Sequence, residues 1–169
     1  MGNGGRPVSR RAKKLLVQAA FGVGACVALV GAAGCGEAEG VADGATVTAY
    51  VEAPLCAEAQ RELQRHGGQA GDLKLQAVCL PSPHEARKLN LATVGSNARR
   101  ATQDSTAVAY LEAPNPQVSR FTHPILEKAE IPWIAESSGT AAMSRLLKLI
   151  DSTGSGSLRQ QLREELNEP

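Results

Sequence analysis

Ser119 and His123 stand four residues apart in VSRFTHPILEKAE (118–130), so on a helix they share one face. A hydroxyl beside an imidazole is the beginning of a nucleophile–base pair. Acyl transfer also needs a group that orients the imidazole and donors that hold an oxyanion. Neither is recognisable in the sequence, so hydrolysis is not expected. His84-Glu85 opens like a zinc-protease motif, but no second histidine follows at the required spacing. GGQAG (67–71) follows a helical pattern and is a turn; a nucleotide loop would need a strand before it. Cys56 and Cys79 fit no zinc spacing. No catalytic residue, metal ligand set or cofactor is therefore predicted.

The N-terminus carries a different chemistry. Residues 1–14 hold Arg6, Arg10, Arg11, Lys13 and Lys14 with no acid, and residues 15–34 (LLVQAAFGVGACVALVGAAG) hold no charge. A basic head and an apolar stretch ending in small residues have the layout of a secretory signal. The run is long enough to cross a bilayer. Its last third is Gly and Ala, however, and no basic stop-transfer cluster follows, so cleavage is expected. Ala32-Ala33-Gly34 before Cys35 resembles the lipobox of bacterial lipoproteins, in which the cysteine thiol receives a diacylglycerol and becomes the new N-terminus. Two or three acyl chains make such an anchor effectively permanent. SRRAKKLL (9–16) loosely resembles a twin-arginine export signal, which leaves the Sec and Tat routes both open.

With 1–34 removed as a signal peptide, Cys35 to Pro169 holds all 17 acidic residues but 13 of the 18 basic ones, a formal charge of about −4. Aromatic residues make up 3% of the chain. Clustered basic side chains and stacking platforms are both missing, so nucleic acid is excluded as a partner. Outside the cell Cys56 and Cys79 can form a disulfide that persists.

Residues 35–44 form a small, acidic tether, and 45–150 the folded domain. TVTAYVEA (46–53) is β-branched and alternating, a strand. LCAEAQRELQRHGG (55–68) puts Leu55, Ala59 and Leu63 on one helical face, stopped by Gly67-Gly68. DLKLQAVCL (72–80) is the second strand, ended by PSP. A helix within 88–103 buries Leu91, Val94, Ala98 and Ala101. TAVAYLEA (106–113) is the third strand, 118–130 the third helix with Pro124 bending it or shifting its start, IPWIAES (131–137) the fourth strand and 139–150 the fourth helix. The remainder, 151–169, is a Gly/Ser linker (151–157) and an amphipathic helix capped by Ser157, with Leu158, Leu162 and Leu166 along one side. No internal repeat is apparent at a fixed period. Strands alternating with helices predict an α/β fold with a parallel sheet covered on both faces.

ELQRHGGQAGDLKLQAV (62–78) and, more closely, SNARRATQDSTAVAYLEAPNPQVSRFTHPILEKAEIPWIAESSGT (96–140) resemble the type 1 periplasmic-binding proteins, the substrate-binding components of branched-chain amino acid ABC importers. The resemblance covers about 45–150 and corresponds to the opening part of the first of the family's two lobes. VCLPSP (78–83) lacks the acid usual after the second strand, and Glu112 stands where the family commonly has glycine. The resemblance implies a four-stranded parallel sheet in the order 2-1-3-4. Strands one and two are then neighbours, about 4.8 Å apart. Cys56 and Cys79 reach the same carboxyl edge, within the 4.4–6.8 Å that a disulfide spans between Cα atoms.

The resemblance also implies solute contacts from Ser137, Ser138 and Gly139 in ESSGT (136–140), with Gln117 and Ser119 of APNPQVS (113–119) as neighbours. A plain N-cap by Ser138 or Thr140 and a plain Pro-Asn-Pro turn are the alternatives. The expected protein is a non-enzymatic, extracytoplasmic solute-binding lipoprotein held to the cell membrane through Cys35. Its expected partners are a small amino-acid-like solute and an ABC permease. The alternative is an interaction or structural module of the same fold that no longer transports and self-associates.

Overall fold

The computed structural model describes residues 44–85, 88–153 and 158–167. The signal, Cys35, almost all of the tether, and Ser157 with residues 154–156 lie outside them. In chain order the elements are β1 (Thr46–Val51), α1 (Ala53–Arg65), β2 (Gln69–Ala70), β3 (Leu73–Cys79), β4 (His84–Glu85), β5 (Lys88–Leu89), α2 (Leu91–Thr102), β6 (Ala107–Glu112), α3 (Pro116–Lys128), β7 (Trp133–Ala135), α4 (Gly139–Thr153) and α5 (Leu158–Asn167).

The main sheet runs β2-β3-β1-β6-β7. β3, β1, β6 and β7 are parallel, whereas β2 joins β3 antiparallel. The sheet thus has five strands rather than the expected four. The extra one follows from the glycine turn after α1. Gly67 and Gly68 take φ of +71° and +72°, a left-handed conformation cheap only for glycine. This turns the chain straight back, and Gln69 and Ala70 pair with Lys74 and Leu73. A two-residue strand carries no periodicity, so no sequence pattern could announce it.

Both faces of the sheet are covered, as its uninterrupted apolar strands require. Val47, Ala49, Val51, Ala109, Leu111 and Ile134 pack with the inner faces of α1, α4 and α5, while Tyr50, Ala107 and Tyr110 pack with Ala98, Ala101 and Leu126 of α2 and α3. Leu158 and Leu162 of α5 are buried as expected, and Leu166 packs partly against the same core. Arg159 holds α5 in place by donating to the carbonyls of Ala107 (2.6 Å), Ser105 (2.6 Å) and Asp104 (3.3 Å).

Helix boundaries differ from the expected ones where side chains cap. Asn90 accepts from the backbone N–H groups of Ala92 (3.0 Å) and Thr93 (3.2 Å), so α2 starts at Leu91, and Lys88–Leu89 instead pairs with His84–Glu85 in a small hairpin. Leu91, at the first helical position, is half exposed; the buried face is completed by Asn97, whose amide donates to the Pro81 carbonyl at 2.9 Å. Asn115 caps α3 in the same way, and Pro116 occupies the first turn where its missing N–H costs nothing. Pro124 sits inside α3 on its exposed side. Residues 151–153, read as linker, continue α4, with the Ser152 and Thr153 hydroxyls donating to the Leu149 and Ile150 carbonyls. Among the described residues no helix is long and apolar enough to cross a membrane.

Cys56 and Cys79 form a disulfide with a Cα–Cα distance of 5.6 Å. It joins the first turns of α1 to the end of β3, where Cys79 lies opposite Val51. The closed loop of 23 residues makes the bond worth about 3 kcal/mol in the chain-entropy model. Urea unfolding of Cys56→Ala/Cys79→Ala should therefore show a midpoint well below wild type. Equal midpoints would mean that the cross-link constrains nothing in the unfolded chain.

Candidate functional site at the carboxyl edge

The chain leaves β1 toward β3 on one side and later returns past β1 to β6 and β7 on the other. The crevice between the carboxyl ends of β1 and β6 is therefore the switch point of the sheet, the position at which open α/β sheets receive ligands.

Two nearly identical hexapeptides meet there. AYVEAP (49–54) and AYLEAP (109–114) run side by side, Ala49 opposite Ala109, Tyr50 opposite Tyr110 and Val51 opposite Leu111. The search for a fixed period passes over this pair, which recurs once, 60 residues apart. The shared register makes Glu52 and Glu112 neighbours at the ends of adjacent strands. Both are buried, 3% and 1% exposed.

Burying a carboxylate is costly unless donors replace water, and the two acids are compensated unequally. Glu112 accepts from three side chains of α3: Ser119 Oγ at 3.0 Å, His123 Nε2 at 2.7 Å and Thr122 Oγ1 at 3.4 Å. The spacing 119, 122, 123 is what one helical face presents to a point. Glu52 accepts from the Ala113 backbone N–H at 3.0 Å and the Tyr110 hydroxyl at 3.4 Å. Burial, opposed by the Ala113 hydrogen bond and reinforced by the charge of Glu112, pushes the Glu52 carboxyl up to about 7. Burial also raises the Tyr110 phenol, with the two carboxylates adding to the shift. The His123 ring stacks on Trp133 of β7, centroids 4.2 Å apart and planes inclined by 23°.

Ser119 and His123 do share a face, and both direct a proton at the same oxygen of Glu112. The serine hydroxyl is thus spent on a carboxylate and has no imidazole to activate it, which is not a hydrolase arrangement. Among the described residues no group of three or more His, Cys, Asp or Glu side chains is placed to hold a metal ion.

Comparison with family models, with curated proteins and with solved structures yields no match. The residues themselves must carry the reading.

ESSGT follows β7 at the same edge, tied to the cluster by the Glu136 N–H, which donates to the Glu112 carbonyl at 3.1 Å. Ser138 Oγ accepts from the Ala141 N–H at 3.2 Å, so it caps α4. The Gly139 N–H donates to Glu58 Oε2 at 3.0 Å, and Gly139 is buried against α1. Ser137 and Gln117 are exposed, and the Gln117 N–H is held by the Asn115 side chain. Of the five residues expected to contact solute, only Ser119 joins the carboxylate cluster. Glu52, Tyr110, Glu112 and Trp133 were not anticipated as site residues. The signal for the first three was present: an acid ending an apolar strand, twice, in the same hexapeptide. At the opposite end of β7 a cavity of about 120 Å³ is lined by Glu127, Pro132, Trp133, Arg163 and Leu166, with Arg163 3.3 Å from Glu130. It lies at the start of the strand, the edge these sheets do not use for ligands.

Proposed function

We propose that this protein is a lipid-anchored, extracytoplasmic binding domain related in architecture to the first lobe of type 1 periplasmic-binding proteins, and that it holds a small amino-acid-like solute without transforming it. The observation that carries this reading is the pair of acids at the β1/β6 switch point, flanked by the ESSGT turn. The exposed Ser137 and Gln117 beside that pair suit the solute's polar groups. The alternation of parallel strands and helices around that switch point supports the family likeness. The Cys56–Cys79 bond supports an oxidising compartment, hence export. Cys35 takes the lipid, and an ABC permease is the partner.

The test has two arms. Cells fed radioactive palmitate should label the wild type and not Cys35→Ala, with only the wild type partitioning into detergent. Calorimetry of the processed chain with branched-chain amino acids should give saturable heat, weakened about tenfold in Ser137→Ala, or 1.4 kcal/mol. Labelling without heat would keep the anchor and replace solute binding by an interaction module. Absence of both would remove the proposal.

A further inference from the structure

We propose that Glu52 and Glu112 form a proton-sensitive clasp over the switch point: a neutral Glu52 holds the β6–α3 turn against the end of β1, and its ionisation beside Glu112 releases that turn.

The geometry supplies both halves of the device. Register puts the two carboxyl groups on neighbouring parallel strands at equivalent positions. Glu112 cannot retreat, because Ser119, Thr122 and His123 fasten it to α3. Glu52 can. Its partners are one backbone amide, Ala113, and the Tyr110 hydroxyl at the long distance of 3.4 Å. The Ala113 contact ties the turn between β6 and α3 to the residue that ends β1.

The remaining charges lie elsewhere. No cation of the described residues hydrogen-bonds to Glu52. From α3, His123 addresses Glu112; from the segment after β7, Glu136 is engaged by Arg145; from α1, Glu58 is engaged by the Gly139 N–H. Tyr110 is held neutral by burial, chiefly, and by both acids. Among the described residues the second negative charge at the switch point therefore has no counter-charge. Burial raises the Glu52 carboxyl to about 7, which places the change near neutral pH. Once charged, Glu52 is relieved by turning outward to water, and it gives up the Ala113 N–H as it goes. This inference does not depend on the anchor or on any solute.

Amide exchange of the full chain, read by NMR and corrected for the intrinsic pH dependence of exchange, tests it. Protection of the Ala113 N–H should fall at least about tenfold between pH 5.5 and pH 8.5 and lie well below that of Ala59 in α1, which opens only with the whole domain. Glu52→Gln should show equal Ala113 protection at both values. Three results would overturn the clasp: constant protection in the wild type, a fall that survives in Glu52→Gln, or Ala113 protection equal to that of Ala59 at both values, which reports whole-domain opening.

Discussion

Gly139→Ala should lower the stability of the domain by about 3 kcal/mol, although alanine is the better helix former by about 1 kcal/mol. A Cβ at residue 139 would collide with the Leu55 carbonyl oxygen and lie 2.7 Å from the Ala59 nitrogen. These are backbone atoms of α1, so no side chain can rotate away. α1 and α4 would have to separate along the contact that buries Ala59, Leu63, Ala142 and Leu146. For a domain whose whole margin is on the order of 5–15 kcal/mol this is a large loss. Gly95→Ala is the control: it too lies in a helix, but its Cβ would meet only the flexible Arg99 guanidinium at 3.4 Å. That variant should equal or exceed the wild type. Urea midpoints of the three proteins decide the matter, and a Gly139→Ala protein as stable as wild type would mean that α4 does not approach α1 this closely. The same experiment bears on ESSGT. Loss of stability at Gly139 ties this glycine to helix packing, whereas loss of solute heat with stability intact would tie it to the ligand.

Glu52→Gln should stabilise the domain by about 3 kcal/mol above pH 7 and leave it almost unchanged below pH 4.5. The direction follows from proton counts. The carboxyl ionises near 4.5 in the unfolded chain and at about 7 in the folded one. Between these values the folded state binds more protons, so wild-type stability falls as pH rises through the window and then levels off. Glutamine keeps a carbonyl for the Ala113 N–H and carries no charge, so the decline should vanish. Urea midpoints at pH 5 and pH 8.5 read it directly. A wild type that gains stability from pH 5 to pH 7 through this residue, or a variant with an unchanged slope, would show that Glu52 is charged at little cost in the fold.

Much of the architecture was legible because it rests on patterns that repeat over many residues. The buried strands, the apolar stripes of α1 and α5, and the neighbourhood of Cys56 and Cys79 all follow from periodicity and strand adjacency. What escaped was local or long-range. β2 and the β4–β5 pair are two-residue pairings too short to carry a periodicity, and Leu91 is exposed because the Asn90 cap, not the apolar stripe, sets where α2 begins. The carboxylate cluster escaped for another reason: Glu52 and Glu112 are 60 residues apart, and only the register of β1 on β6 reveals that they share an environment. Ser119 and His123 stand out in the sequence as a pair, but the residue that gives the pair its meaning, Glu112, stands out only as a departure from a family pattern.

The disulfide has a kinetic consequence. β1 is the central strand and comes first in the chain, so both of its pairings wait for later segments: β3 from Lys74 onward, and β6 from Ala107 onward. Closing these loops is an entropic cost that precedes the contacts of the sheet. The Cys56–Cys79 bond sits just beyond the β1–β3 pairing and keeps those two strands near each other in the unfolded chain. Oxidation therefore shortens the search for both pairings, because the 23 residues between Cys56 and Cys79 also drop out of the loop that joins β1 to β6, and the oxidised protein should fold faster than the reduced one.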